Sequence, residues 1–496
     1  MRFLSVVLVT VPIWGLTALA GQDPILLTFD LHVDPIGNGL PEAGKVDNFE
    51  NRNEWTAWVL DQTEPLSIPI AFLSGGWYME RLVDEGAGGD AAAVVRRLYA
   101  SGGQIGSHHH DESRAGVFNW PKMRPGEGDP GTRDDYLDVI RKQWRDNIQW
   151  VNRGIETAFS GSPPKPVEEI NRIKGAHMPN VEADYHQLMG EFGLDVREPG
   201  PEEDYYGYFG HHIWRPFRPS PDNYMAEDLT AGFVAIPSGP VIGSNGIHHG
   251  VLQDMRPASM KRQLLQLYLN WRHAHRSDAD AKVWTWGWGS HVHDFDPAKS
   301  ARDAFTEMLP WIETHFRGRI ESDGSDVLEY ATHLDVADAY YDWEATNPGA
   351  SSFSFDSLEA NDWDTYPWLQ PVAEAMRDWL WSEDLAVDGM DAFAFERQVA
   401  GETPGELINE SAVLVWKDEP DTEFVDLSTH FEQPVRVLKL ESGEIYGGPF
   451  GVPPTMVPVA DEPIWVTTVP EPGTAVVLGS GLFGLIIARR LRWNGA

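Results

Sequence analysis

The chain contains no cysteine. That excludes cysteine nucleophiles, thiolate metal sites, iron–sulfur clusters and disulfide staples. Basic residues are also scarce, 38 against 76 acidic ones, for a formal charge of -38. A field of that sign repels nucleic acid and anionic membrane surfaces. It favours solubility and leaves neutral or cationic ligands and divalent cations as compatible partners. Fixed-period repeats and charge-block tails are absent as well. Aromatic residues, in contrast, are abundant: 21 tryptophans in 496 residues, with 42% hydrophobic residues overall. A chain of that length and texture has core enough for two domains without disulfides.

Long apolar runs occur at the two ends. "MRFLSVVLVTVPIWGLTALAGQ" has one arginine, an apolar stretch and a small-x-small end at Ala18-Leu19-Ala20, which predicts a signal peptide over 1–20 and a mature start at Gly21. The other run, "VPEPGTAVVLGSGLFGLIIARRLRWNGA", carries Pro470-Glu471-Pro472, an apolar stretch, and Arg489, Arg490 and Arg492. This order resembles the PEP-CTERM sorting tail of Gram-negative bacteria that make exopolysaccharide. The resemblance implies a transmembrane segment over 469–496, processing by an exosortase, export across the inner membrane, and delivery to the cell surface or extracellular matrix.

From Pro24 to about Tyr341 short β-type runs alternate with helical patterns. Strands are expected in "PILLTFDLH", "LSIPIAFLSGG", "QIGSHHH", "IKGAH", "LDVRE", "GFVAIPSG" and "KVWTWGWGSH". Helices are expected around "NEWTAWVLDQ", "DAAAVVRRLYASGG", 133–159, "EADYHQLMGEFG", "SMKRQLLQLYLNWRHAH" and "ARDAFTEMLPWIETHF". The βαβα order predicts a parallel sheet covered by helices, an α/β fold matching a distorted (β/α) barrel of about seven strands over 21–345. A linker carrying a helix, "LQPVAEAMRDWLWSE", is expected over 346–406. A small β-sandwich resembling those appended to carbohydrate-active enzymes is expected over 407–468.

Residues suited to ligation or proton transfer fall at the C-terminal ends of these strands: Asp30, His108, His110, His177, Glu198, His291 and His293. In a parallel barrel those ends share one mouth. In "GSHHHDE", His108 and His110 point one way and His109 the other. Two imidazoles and a neighbouring carboxylate make a facial site for Zn²⁺ or another transition ion. In "LLTFDLHVD" the alternation places Asp30, His32 and Asp34 on one face, where one carboxylate can serve as base and another as ligand. By the same alternation Trp284, Trp286 and Trp288 share a face, which reads as core packing. The pairs His211–His212 and His248–His249 read as loop histidines near the mouth.

"LLTFD", "GSHHHD" and "WGSHVHDF", in this order and spacing, resemble the polysaccharide deacetylase superfamily across residues 24–341. The resemblance implies a metal-dependent deacetylase of glycans, with Zn expected and Ni, Co or Mn as alternatives. Asp30 matches the family's base. Leu31 occupies a ligand position, so His32 or Asp34 must replace it. His108 matches the first metal histidine, and His110 or Glu112 stands in for the second. Lys174 or His177 takes the place of the substrate-binding arginine. His291 matches the histidine that protonates the leaving group, with His293 beside it. Two rival readings remain: a glycoside hydrolase using paired carboxylates such as Asp30 and Glu198, and a non-catalytic polysaccharide-binding surface protein.

Overall fold

The computed structural model describes residues 23–33, 42–108, 133–175, 182–198, 214–222, 226–236, 241–248, 251–276, 282–321, 324–352, 375–376, 379–400, 407–418, 421–431, 435–440, 442, 445–446, 456–460 and 462–468. The expected signal peptide and sorting tail lie outside these residues. Among the described residues no helix is long and apolar enough to cross a membrane.

The N-terminal part is a parallel sheet of eight strands: β1 (Ile25–Val33), β2 (Ala71–Ser74), β3 (Gln104–His108), β4 (Ile173–Gly175), β5 (Val196–Arg197), β6 (Val234–Ala235), β9 (Thr285–His291) and β10 (Leu328–Ala331). A separate hairpin pairs β7 (Asn245–His248) with β8 (Val251–Asp254). Between the strands run α1 (Glu42–Thr63), α2 (Gly76–Glu85), α3 (Asp90–Ala100), α4 (Arg133–Ala158), α5 (Val167–Ile170), α6 (Glu182–Phe192), α7 (Pro257–Arg276), α8 (Ser300–His315) and α9 (His333–Thr346). The expected helices are present, and α6 ends where Gly193 adopts φ +65°, a conformation glycine enters without a Cβ penalty. Helix α2, which begins at the last glycine of "LSGG", is not among the expected elements.

β1 is the central strand. One edge pairs with β9 from Leu26 to His32. The other is divided: β10 runs along Ile25–Thr28, and β2 takes over along Asp30–Val33. Side chains alternate between two faces. Phe29 and Leu31 face the helices, where Phe29 meets Phe305 edge-on at 5.4 Å within a large apolar core. The opposite face carries Leu73, Ile173, Val196, Val234 and Ala331, and α9 packs against them through Val336, Ala337 and Tyr340. A closed strand barrel would fill that face with strand side chains alone. Here no ladder joins β6 to β9 among the described residues. Extended chain at Trp214–Phe217 lies between them, giving the Trp214 carbonyl to Thr285 N and pairing Phe217 with Ala235.

The C-terminal part corrects the expected boundary at 407. A six-stranded antiparallel sheet begins inside the expected linker, with β11 (Leu380–Asp384) and β12 (Asp391–Ala400) followed by β13 (Leu407–Trp416), β15 (Val435–Lys439), β16 (Ile445–Tyr446) and β18 (Ile464–Thr468). β14 (Glu423–Asp426) and β17 (Met456–Val459) form a separate pair. The end of the helix expected over 369–383 is therefore strand β11. The reason is local: Asp388-Gly389, with Gly389 at φ +71°, turns the chain between two alternating runs.

The β13 alternation also explains how the two parts join. Val413 and Val415 pack toward β14 and β17, whereas Ala412, Leu414 and Trp416 belong to the same core as α7 and α8. Tyr268 and Trp416 lie 5.7 Å apart, centroid to centroid. The Arg319 guanidinium spans the junction to Asp391 at 2.7 Å and Asp418 at 2.9 Å. Parts that share one core unfold together. The chain is therefore expected to melt in one cooperative calorimetric transition, and Trp416→Ala to destabilise it by about 3–5 kcal/mol. Two independent transitions would show separable modules.

Candidate functional site

The sequence "WTWGWGSH" alternates the largest side chain with the smallest, and β9 uses that alternation. Trp284, Trp286 and Trp288 are buried on the helix side, with Trp288 donating from Nε1 to Gln263 Oε1 at 3.2 Å. Gly287 and Gly289 face the opposite side, and the register sets Gly289 beside Asp30 and His291 beside His32. A Cβ at Gly289 would fall 2.7 Å from Asp30 Oδ1. At Gly175, on β4, a Cβ would come 3.1 Å from both Glu198 Oε2 and His108 Nδ1. Bare backbone at these two positions makes the space in which charged groups gather.

The group consists of Asp30 and His32 from β1, His108 from the end of β3, Glu198 just past β5, and His333 just past β10. His32 Nε2 forms an ion pair with Asp30 Oδ2 and lies 3.1 Å from Glu198 Oε2. The His32 and His108 rings are 4.4 Å apart. Ligand atoms of Asp30, Glu198 and His333 all lie within 4.8 Å of one another. Asp30, His108 and Glu198 are each 1% exposed and His333 is fully buried. Burial by itself would raise the Asp30 carboxyl, but the adjacent His32 imidazolium, with smaller contributions from His333 and Glu198, outweighs it and holds Asp30 below its usual value. Burial would likewise lower His32, yet Glu198 and Asp30 hold its pKa well above the ordinary histidine value. Burial and the Asp30 charge together raise Glu198.

A second group sits beside the first, with the His291 ring 6.0 Å from that of His32. His291 Nδ1 is 3.0 Å from Asp294 Oδ2, and its backbone N–H donates to the same oxygen at 3.3 Å. Lys299 Nζ donates to Asp294 Oδ1 at 2.9 Å. Burial opposes the charge on Asp294, but His291, Lys299 and His293 override it, and its pKa is strongly lowered. The ionised carboxylate therefore holds the His291 ring through Nδ1. His293 stacks on His291 at 5.0 Å.

Of the residues expected from sequence, the structure brings together Asp30, His32, His108, Glu198, His291 and His293. Asp34, His110, Glu112 and His177 lie outside the described residues, as do the side chains of Lys174 and His248 and all of His211, His212 and His249. Glu198, at the end of its strand as the sequence implies, is buried against His32. His333 and Asp294 were not singled out from sequence. His333 begins α9, and its signal was positional: it follows the short strand "LEYA" at the same sheet end as the others.

No family model matches the chain, and no curated protein matches it. Solved structures with a related backbone include Puue allantoinase, at 13% identity and TM-score 0.39 over 67% of this chain and 94% of that one. A protein assigned as a polysaccharide deacetylase from Mycobacterium smegmatis aligns at 14% identity and TM-score 0.36, over 68% and 99%. A 4-alpha-glucanotransferase from Thermococcus litoralis aligns at 8% and 0.35, over 90% and 99%. At these identities and TM-scores the likeness does not extend to a reaction.

The Asp294 carboxylate has a folded pKa below its unfolded value, so its stabilisation is present above about pH 4 and fades as the pH falls toward the folded value. Asp294→Asn is expected to lower stability at pH 7 by about 1.5–3 kcal/mol, the range for a hydrogen bond to a charged group. Thermal melts should show the gap to wild type narrowing between pH 4 and pH 2. A gap that stays constant with pH would show that Asp294 is not the charged partner of His291.

Proposed function

We propose that the chain is a divalent-metal-dependent hydrolase of acylated carbohydrate, and specifically a deacetylase of an exported polysaccharide. One observation carries this reading: a buried set of imidazoles and carboxylates gathers at one end of a parallel sheet, directly beside a half-exposed carboxylate–histidine dyad. The donor set is nitrogen and oxygen, suited to Zn²⁺, Co²⁺, Ni²⁺ or Mn²⁺. His32, His108, Asp30 and Glu198 are the residues that would hold the ion, which supplies Lewis-acid polarisation of an acetyl carbonyl.

The rest of the chemistry belongs to the chain's own groups. Asp30 is 1% exposed and turned toward His32, so it suits ligation or ring positioning better than the base role the resemblance implies. Proton exchange falls to His291, whose side chain is 26% exposed and oriented by Asp294. With Nδ1 held by Asp294, Nε2 is the ring nitrogen that would hold a proton for the departing amine or alcohol. His293, 34% exposed, stands at the same edge to contact substrate.

The glycosidase reading fares less well. Two carboxylates acting on a glycosidic bond must each reach the sugar, whereas Asp30 and Glu198 are buried with His32 between them. The finer architecture proposed with this function is a distorted (β/α) barrel, bridged at Trp214–Phe217, with a fused β-sandwich. Export, PEP-CTERM sorting to the cell surface, exosortase processing and a polysaccharide partner complete the proposal and rest on the two terminal sequences.

Elemental analysis of the purified chain should find about one transition ion per molecule, lost in His108→Ala. Because His32 holds a proton between the two carboxylates, ion uptake should release protons and weaken as the pH falls. His291→Ala should keep the ion while acetate release from acetylated oligosaccharides drops about 10²–10⁴-fold. New reducing ends without acetate would replace this reading with the glycosidase. Glycan binding with no turnover by the metal-loaded wild type would leave the non-catalytic binding protein.

A further inference from the structure

His333 stands apart from the rest of the buried group. It is fully buried, and neither ring nitrogen has a hydrogen-bond partner among the described residues. A buried imidazole left that way forfeits the hydrogen bonds it makes in water, so such groups ordinarily find a partner. Nothing about the local backbone is loose. Thr332 and Asp335 cap α9 reciprocally: Thr332 N donates to Asp335 Oδ2 at 2.7 Å, and Asp335 N donates to Thr332 Oγ1 at 3.2 Å. Leu334 N donates to the buried Gln104 side chain at 3.0 Å. The ring is therefore held in place by its chain neighbours while its own polar atoms are unmet.

The sheet register explains its position. β10 pairs with β1 up to Ala331 opposite Thr28 and then leaves the sheet into α9, and β2 takes the vacated edge from Asp30 onward. Two residues beyond the last pair lie Asp30 on β1 and His333 on the departing chain. His333 thus enters the corner between the outgoing β10 and the incoming β2, on the face that carries Asp30 and Glu198.

We infer that His333 is a direct ligand of the metal ion, forming with Asp30 and Glu198 a three-residue set that faces the His32–His108 pair. This rests on the metal-hydrolase reading and deepens it. A nitrogen donor at 333 selects borderline transition ions such as Zn²⁺ and Co²⁺ over Mg²⁺ and Ca²⁺, which prefer all-oxygen sets. It also ties the ion to the N-terminus of α9, so occupancy should stiffen the junction of β10 and α9.

The test is a titration of the chelator-stripped chain with Co²⁺ and Zn²⁺ alone, without substrate, for wild type and His333→Gln. The expected result is binding to wild type, at least ~100-fold weaker binding to the variant, beyond the 10–100-fold typical of a residue that only supports a ligand, and a changed visible Co²⁺ spectrum. Equal affinity with an unchanged spectrum would overturn the role of His333 and leave the metal-hydrolase reading standing. Failure of wild type to bind either ion would overturn both. His333→Cys provides a second readout if the glutamine variant does not fold. The wild type has no cysteine, so a thiolate-to-cobalt charge-transfer band would come only from the introduced thiol. Its absence in a folded, cobalt-loaded variant would again count against ligation.

Discussion

Two carboxylates, Asp30 and Glu198, lie inside the sheet, where an unpaired buried charge carries a penalty of several kcal/mol. The His32 ring between them supplies the opposing charge, and the demand for that arrangement reaches outward through the fold. It requires bare backbone at Gly289 and Gly175, since a methyl group at either position would press on a carboxylate oxygen. It also requires β1 to present alternate residues on opposite faces, so that Asp30 and His32 share the polar side while Phe29 and Leu31 fill the apolar one. The tryptophans of β9 follow from the same constraint. A strand that carries only backbone at Gly287 and Gly289 on one face must anchor itself by the other, and Trp284, Trp286 and Trp288 do so against the helix layer.

The antiparallel sheet adds to this anchoring. Its inner face, with Phe393, Phe395, Leu414, Trp416 and Trp465, completes the core around α7 and α8, the two helices flanking β9 in the chain. A buried polar site reduces the apolar area available to hold its own strands. Extra burial behind those strands offsets the loss. The C-terminal part thus has a mechanical reason to be fused to the first, whatever else its outer surface recognises.

Much of this was legible in the sequence. Strand period and helix stops gave the α/β order, and the alternation in "TFDLH" and "WGWGSH" placed the right residues on the right faces. The remainder is tertiary. Glu198 reads as a residue at a strand end, and only the pairing of β4 with β3 and β5 brings it to His32. His333 reads as the first residue of a helix, where burial is not expected. It becomes part of the site because β10 and β2 share one edge of β1, an arrangement set by long-range register. The strands at 380–400 are hidden for a different reason: they alternate, but the tryptophan-rich, acidic stretch that leads into them reads as helix and linker.

The departure at position 31 acquires a physical meaning from the same alternation. The family resemblance places a metal ligand immediately after Asp30, where this chain has Leu31. Here Leu31 is buried in the core on the helix side, so a carboxylate at that position would face apolar side chains rather than the cluster. The next residue able to face Asp30 is His32, and that is where the polar group stands. An imidazole where the resemblance implies a carboxylate makes the cluster less negative, and two further imidazoles, His108 and His333, lie near the same carboxylates. If the cluster holds an ion as proposed, its donor balance would lie further toward nitrogen than the resemblance implies, as a consequence of where β1 can point its side chains. Ion preference would then be set by the pleat of one strand as much as by the chemistry of any one residue.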